Sequence, residues 1–239
     1  MTTKLPLGFT SRPATMEDVP AAVKLFNDFS EHYLGYRGMT ENNVETEWKM
    51  PKFNPETDIR LVFNPEGELV GYIEVWAISD PPAEPWVWAR VHPNYHGKGI
   101  GTYLLNWGEE RARQAIERCP KDVRVAYRCG TVTTVEAPKH LFDTFDLKLI
   151  RHSFRMQIEL KEAPPNPVWA EGITVRSAAA TPEEIETITR VDYESFKDHF
   201  GYIEQPFENE LAIFTNWLEN DDEYNDSSLW FLAMDGDQA

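Results

Sequence analysis

The chain is poor in cysteine: Cys119 and Cys129 are its two thiols in 239 residues. Two isolated thiols leave room for at most a single bridge. They do not make a disulfide framework or a metal site, so we expect ordinary reduced thiols and no metal. Long apolar runs are missing too. No stretch approaches the ~18 residues of a membrane span, and "MTTKLPLGFTSRP" lacks the apolar block of a secretory signal. These absences predict a soluble, cytoplasmic protein without a membrane partner. Basic residues are scarce in one region. Residues 164–239 hold 3 Lys/Arg against 17 Asp/Glu, whereas residues 1–163 hold 20 against 23. The net charge of -17 therefore belongs to the C-terminal third. Duplex nucleic acid is disfavoured as a partner, because such binding draws on clustered Lys/Arg.

There is ample material for packed cores: 41% of residues are apolar, over a length that suits one large or two ordinary domains. "KEAPPNPVWAEG" is proline-rich and follows neither the helical nor the strand period, so it reads as a linker. We expect a first domain over residues 1–163, a linker over 164–172 and an incomplete second domain over 173–239. The two parts open alike. "GFTSRPATMEDVPAAVKLFNDF" and "GITVRSAAATPEEIETITRVDY" each give a short strand ending near Arg, a polar helix start and an amphipathic helix. "DIRLVFNPEGELVGYIEVW" and "SSLWFLAMDGDQA" each run a strand into an Asn/Asp/Gly turn. The second copy stops there. A half-sheet would leave an unpaired strand edge, which favours a longer parent protein.

Periodicity in the first part predicts a strand near 9–12, helices near 16–30 and 40–50 and a hairpin over 58–78. A strand at 86–91, a glycine loop and a helix at 100–117 follow. A strand near 122–129, a helix near 137–145 and a strand over 148–160 complete it. The alternation is mixed α/β.

The glycine loop is "VHPNYHGKGIG", Val91 to Gly101. Strand, glycine loop and helix make a phosphate cradle in principle: glycine lets successive N–H groups converge, and a helix start adds unpaired donors. A nucleotide P-loop requires Ser or Thr after Gly-Lys, but Gly97-Lys98 is followed by Gly99. The dinucleotide fingerprint G-x-G-x-x-G fails too, since the glycines stand at 97, 99 and 101.

The pattern that remains resembles the GNAT-type acetyltransferases, whose hallmark is V-x-P-x-x-[R/Q]-x-x-G-x-[G/A] between a strand and an amphipathic helix. Val91, Pro93, Gly99 and Gly101 match, and His96 replaces the usual Arg or Gln. The resemblance covers about residues 9–160. It implies a central, mostly antiparallel mixed sheet flanked by helices, with acetyl-coenzyme A as acyl donor and a small-molecule primary amine as acceptor. The implied cofactor-binding positions are Ala89, Arg90, Val91, His96, Gly97, Lys98, Gly99, Ile100, Gly101 and Thr102. A tandem of such domains also resembles the mycothiol-synthase-like two-domain members, and a homodimer is a further expectation.

By the same resemblance, the carbonyl-polarising donor is a backbone N–H near Ala89 to Val91. A base must take the amine's proton, and Glu74 on "YIEVW" and Glu84 in "DPPAEPW" are the candidates. His92, beside the loop, is discounted as a base. The family's tyrosine acid falls on Phe142, which donates no proton. The thiolate then leaves unaided, or Tyr127 or His140 serves. Tyr33 and Tyr36, with Trp48, are candidates for an acceptor wall. The competing expectation is a non-catalytic coenzyme A-binding or scaffolding module.

Overall fold

The computed structural model describes residues 4–220, 226–236 and 238–239. The first part begins with β1 (Thr10–Arg12), α1 (Val19–Leu34), α2 (Glu41–Trp48), a single-turn α3 (Pro55–Asp58) and β2 (Ile59–Phe63). It continues through β3 (Leu69–Trp76), β4 (Trp86–Val91), α4 (Ile100–Ile116), β5 (Arg128–Cys129) and α5 (Glu136–Thr144). The five strands lie in sequence order in one sheet, antiparallel from β1 to β4 and parallel between β4 and β5. The expected mixed, mostly antiparallel sheet between helices is therefore present.

Strand alternation divides the core. Leu61, Tyr72, Trp76 and Trp88 face α1 and α2 in a cluster with Phe26 and Trp48. Ile73, Val75 and Val87 face α4 through Ile100, Leu104 and Leu105. Helix α4 seats closely because Gly108 has no side chain: a Cβ there would lie 2.7 Å from Ile73 Cδ1 and 3.1 Å from Val87 Cγ1. Arg111 pins its outer end, donating from Nε (2.9 Å) and Nη2 (2.5 Å) to the buried Asp58. Helix α1 stops at Gly35, whose φ of 77° an L-side chain resists, and the Gly35 N–H closes on Glu31 O.

Two expected strands differ. The strand expected over 122–129 shortens to Arg128–Cys129, so β5 covers only the start of β4. Residues 148–160 form no strand, although Leu149, Ile150, Phe154, Met156 and Ile158 are apolar as a strand requires. These side chains are exposed. An extended segment becomes a strand only beside a partner edge, and a two-residue β5 offers almost none.

The second part contains β6 (Ile173–Ser177), α6 (Pro182–Ser195), α7 (Phe207–Asn220) and β7 (Phe231–Asp235), with β6 and β7 antiparallel. This is the order of β1, α1, α2 and β2. One turn bond matches as well: Gly67 N–H donates to Asn64 O after β2, and Gln238 N–H to Asp235 O at the end of β7. The parts also touch directly. Ile213 and Trp217 of α7 pack on the α1/α2 core, and Thr46 Oγ1 donates to Asn220 O (2.8 Å).

Among the described residues, no helix is long and apolar enough to cross a membrane. No cluster of His, Cys, Asp and Glu among them is placed to hold a metal ion. Both cysteines are free thiols.

Candidate functional site

A cleft opens where β4 and β5 part. Their parallel pairing is confined to Trp86 with Arg128 and Val87 with Cys129. Arg128 N–H donates to Pro85 O, and on the other edge His92 N–H donates to Val70 O. Because backbone groups alternate along a strand, 86, 88, 90 and 92 address β3 while 85, 87, 89 and 91 address the β5 side. Ala89 and Val91 lie beyond the end of the β5 pairing, so their N–H groups point into the cleft.

The cleft has a volume of about 970 Å³. Ala89, Arg90 and Val91 form one wall, and Cys129, Leu141 and Phe142 the other. His96 to Gly99, Gly101 and Thr102 form its mouth. Gly97 and Gly99 have φ of 75° and 82°, left-handed values that turn the loop amides to one side. Helix α4 then starts after Gly99 with no side-chain cap, and Tyr103 N–H is the donor that closes on Gly99 O. The amides of Ile100, Gly101 and Thr102 precede that bond and have no intrahelical acceptor. The Ile100 side chain is buried against the sheet, so only its backbone serves the site.

His96 does more than its backbone suggests. Its Nε2 lies 3.0 Å from Val91 O and its Nδ1 3.2 Å from Tyr33 Oη. A carbonyl only accepts, so Nε2 carries the hydrogen, and in the neutral imidazole Nδ1 accepts from the tyrosine. The imidazole thereby ties α1, the glycine loop and β4 into one unit. Sequence spacing gave no sign of this link.

The two tyrosines expected in the acceptor wall are in different settings. Tyr33 is half-buried against His96, and burial pushes its hydroxyl up. Tyr36 is exposed and accepts from Arg155 Nη1 at 2.9 Å. Trp48 is no wall residue: it is buried in the core and donates from Nε1 to Tyr72 Oη. Asn27 holds the connector after α1, accepting at Oδ1 from Gly38 and Met39 N–H and donating to Met39 O.

Of the two acidic candidates, Glu74 points inward on the α1 side and is 6% exposed. Tyr72 Oη donates to it at 2.5 Å. Burial pushes its carboxyl up to about 7, against the pull of Tyr72, Trp76 and Arg90. Glu84 is not the solvated loop charge its proline-rich surroundings suggest. It forms an ion pair with Arg128, and its side chain is 12% exposed. Neither carboxylate is part of the cleft lining.

Arg90 is in that lining. Its guanidinium folds back, with Nη1 donating to Ala89 O (2.8 Å), and lies 3.9 Å from the Trp88 ring centre and 4.7 Å from that of Phe29. Burial pulls it down to about 10 although Glu74 and Tyr36 favour its charge. The resemblance gives Arg90 a place in the site through its backbone alone.

Phe142 lies in the cleft and His140 borders it, whereas Tyr127 packs in the α4 core and is pushed up to about 12 by burial. His92 approaches Asp28 at 3.8 Å, and burial holds its imidazole below the usual range. Burial also pushes the Cys129 thiol up to about 12. At neutral pH it is not a thiolate, so iodoacetamide should modify Cys119 well before Cys129, as mass spectrometry of a labelling time course would show.

Comparisons with known proteins bear on this arrangement. Residues 22–128 match the Acetyltransferase (GNAT) family. The matched GNAT stretch runs from α1 to the first residue of β5 and contains the whole glycine loop. S-alkylcysteine N-acetyltransferase of Bacillus subtilis (strain 168) is 27% identical over 114 residues, which are 46% of this chain and 64% of that relative. The match thus spans less than two thirds of the relative's length. A GCN5-related N-acetyltransferase from Sphaerobacter thermophilus superposes with a TM-score of 0.69 at 26% identity, covering 97% of this chain and 69% of that one. A Pyrococcus horikoshii protein assigned as an acetyltransferase gives a TM-score of 0.53 at 20% identity, over 88% of this chain and 63% of its own. That last likeness is one of fold alone.

Proposed function

We propose that this chain is a GNAT-type N-acetyltransferase that moves an acetyl group from acetyl-coenzyme A to the primary amine of a small molecule. The observation that carries this reading is the opening between β4 and β5, with backbone donors at Ala89 and Val91 and a glycine-shaped amide cradle at its mouth. The residues fit the donor. The uncapped amides of Ile100, Gly101 and Thr102 suit a pyrophosphate at a helix start, and the cleft volume is at the upper end of what ligand sites offer. When bound, acetyl-coenzyme A would supply an acetyl thioester, whose thiolate is a competent leaving group near neutral pH because an ordinary thiol titrates at about 8.5.

The chain's own groups do the rest. One of the Ala89 and Val91 N–H groups donates to the acetyl oxygen, where negative charge develops as the amine attacks; about 6.6 Å apart along the strand, the two cannot reach one atom together. His96 holds Val91 in place through its carbonyl. For the amine's proton, Glu74 is better placed than Glu84. Glu74 stands opposite Trp88, next to Ala89. Glu84 lies five residues before Ala89, about 16 Å away at strand rise. A carboxyl near 7 suits a base at neutral pH, and its burial requires an intervening water. Phe142 cannot assist the thiolate, so none of its neighbours is assigned as acid.

We further infer that β6, α6, α7 and β7 descend from the same unit as β1, α1, α2 and β2. The shared element order and the matching turn bond support this reading.

Coenzyme A should raise the thermal midpoint, and acetyl-coenzyme A should release thiol when an amine acceptor is supplied. A midpoint shift without turnover across a broad amine panel would favour the non-catalytic module. The absence of any shift would remove the cradle assignment.

A further inference from the structure

Arg90 has a free hand in the cleft. Guanidinium carries five N–H donors, and the hydrogen bond from Arg90 Nη1 goes to the carbonyl of its own neighbour Ala89. Its remaining donors are not sealed in the core. Among the described residues, the buried side-chain polar atoms without a partner belong to Arg60 and Tyr202. The attraction from Glu74 is through space rather than a direct contact. Trp88 and Phe29 flank the guanidinium and hold its plane.

We propose that Arg90 binds the carboxylate of the acceptor, so that the substrates are α-amino acids; this rests on the acetyl-transfer reading above. A planar guanidinium and a carboxylate make paired, charge-assisted hydrogen bonds, and in a partly dry cleft that pairing is strong. Placement decides the acceptor's length. Folded back over Ala89, the guanidinium sits at the strand edge whose N–H would hold the acetyl oxygen. In an α-amino acid a single carbon separates carboxylate from amine, so anchoring the first brings the second to the acetyl carbon. Amines set several carbons from their carboxylate would be carried past it. Phe29, in the cleft lining, gives an apolar side chain a surface to touch. An S-alkylcysteine, the acceptor in the Bacillus relative's name, is a molecule of this class.

The test pairs each acceptor with the same molecule lacking its carboxylate: S-methyl-L-cysteine with 2-(methylthio)ethylamine, and L-methionine and L-phenylalanine with their corresponding amines. The readouts are kcat/KM by thiol release and binding by calorimetry with coenzyme A present. In the wild-type chain at least one amino acid should exceed its amine by about 100-fold. In Arg90→Met that preference should collapse to within a few-fold, while the midpoint shift with coenzyme A alone persists. Arg90→Lys should retain part of the preference, since it keeps charge without the fork. Equal use of both members of every pair by the wild-type chain would overturn the proposal, as would an Arg90→Met chain that keeps the preference. Arg90-dependent binding of an amino acid without any turnover would uphold the anchor and remove the enzyme reading. Absence of both binding and turnover for all three amino acids would remove the anchor.

Discussion

Glu74→Gln should flatten a pH dependence of stability that the wild-type chain shows between about pH 4.5 and 7. The folded carboxyl titrates near 7, against 4.5 for an unburied glutamate. A shift of that size corresponds to roughly 3 kcal/mol. The native chain holds the proton more tightly than the unfolded one. This contribution is therefore fully present below the unfolded value and is lost as the pH rises through the folded one. Glutamine keeps the acceptor for Tyr72 and has nothing to ionise. Urea unfolding of both chains across pH 4–8.5 should show their stabilities diverging, with the variant gaining by roughly 3 kcal/mol above pH 8 relative to its standing at pH 4. A constant difference across that range would mean that Glu74 titrates as an ordinary surface acid.

Gly99→Val should abolish the midpoint shift with coenzyme A and weaken its binding by at least about 100-fold. Space is not the reason, since a Cβ at Gly99 meets nothing within 4 Å. The backbone is: φ is 82°, where a β-branched residue is a genuine outlier costing about 1–2 kcal/mol or more. Relief of that strain rotates the peptide units whose amides form the cradle. Gly67 supplies the control, because it has φ of 84° and open space around its Cβ in the β2–β3 turn, away from the cleft. Gly67→Val should lower the thermal midpoint by a similar few degrees and leave the coenzyme A shift intact. Equal loss of the shift in both variants would show that general destabilisation, not loop geometry, is being measured.

The elements that carry local signals were readable from the sequence. Helix α4 lies within a residue of its expected span because a glycine loop precedes an unbroken apolar period, and β4 matches its expected limits because Trp86 to Val91 is a compact β-prone run. The failures all involve distant partners. The strand expected over 148–160 has the right alternation, but alternation describes two faces and says nothing about whether an edge is available. The prolines around Glu84 give no hint of an ion pair, since its partner Arg128 lies 44 positions away. The glycine loop was visible because glycine spacing is a local backbone requirement. The role of His96 was not, because it depends on Tyr33 from another helix. Arg90 was hidden for a different reason: a motif that works through backbone amides leaves its side chains unconstrained.

The splayed edge of β4 also has a kinetic signature. Alternate amides of one strand face different environments, the Trp88 and Arg90 hydrogens locked in the β3 ladder and those of Ala89 and Val91 directed at an open cleft. In the free protein, deuterium should therefore enter this strand in a two-residue rhythm, fast at 89 and 91 and slow at 88 and 90. A ligand whose acyl oxygen accepts from one of the fast pair would slow that amide. The rhythm would then fade without any change in secondary structure, turning a missing stretch of sheet into an exchange-rate gauge of occupancy.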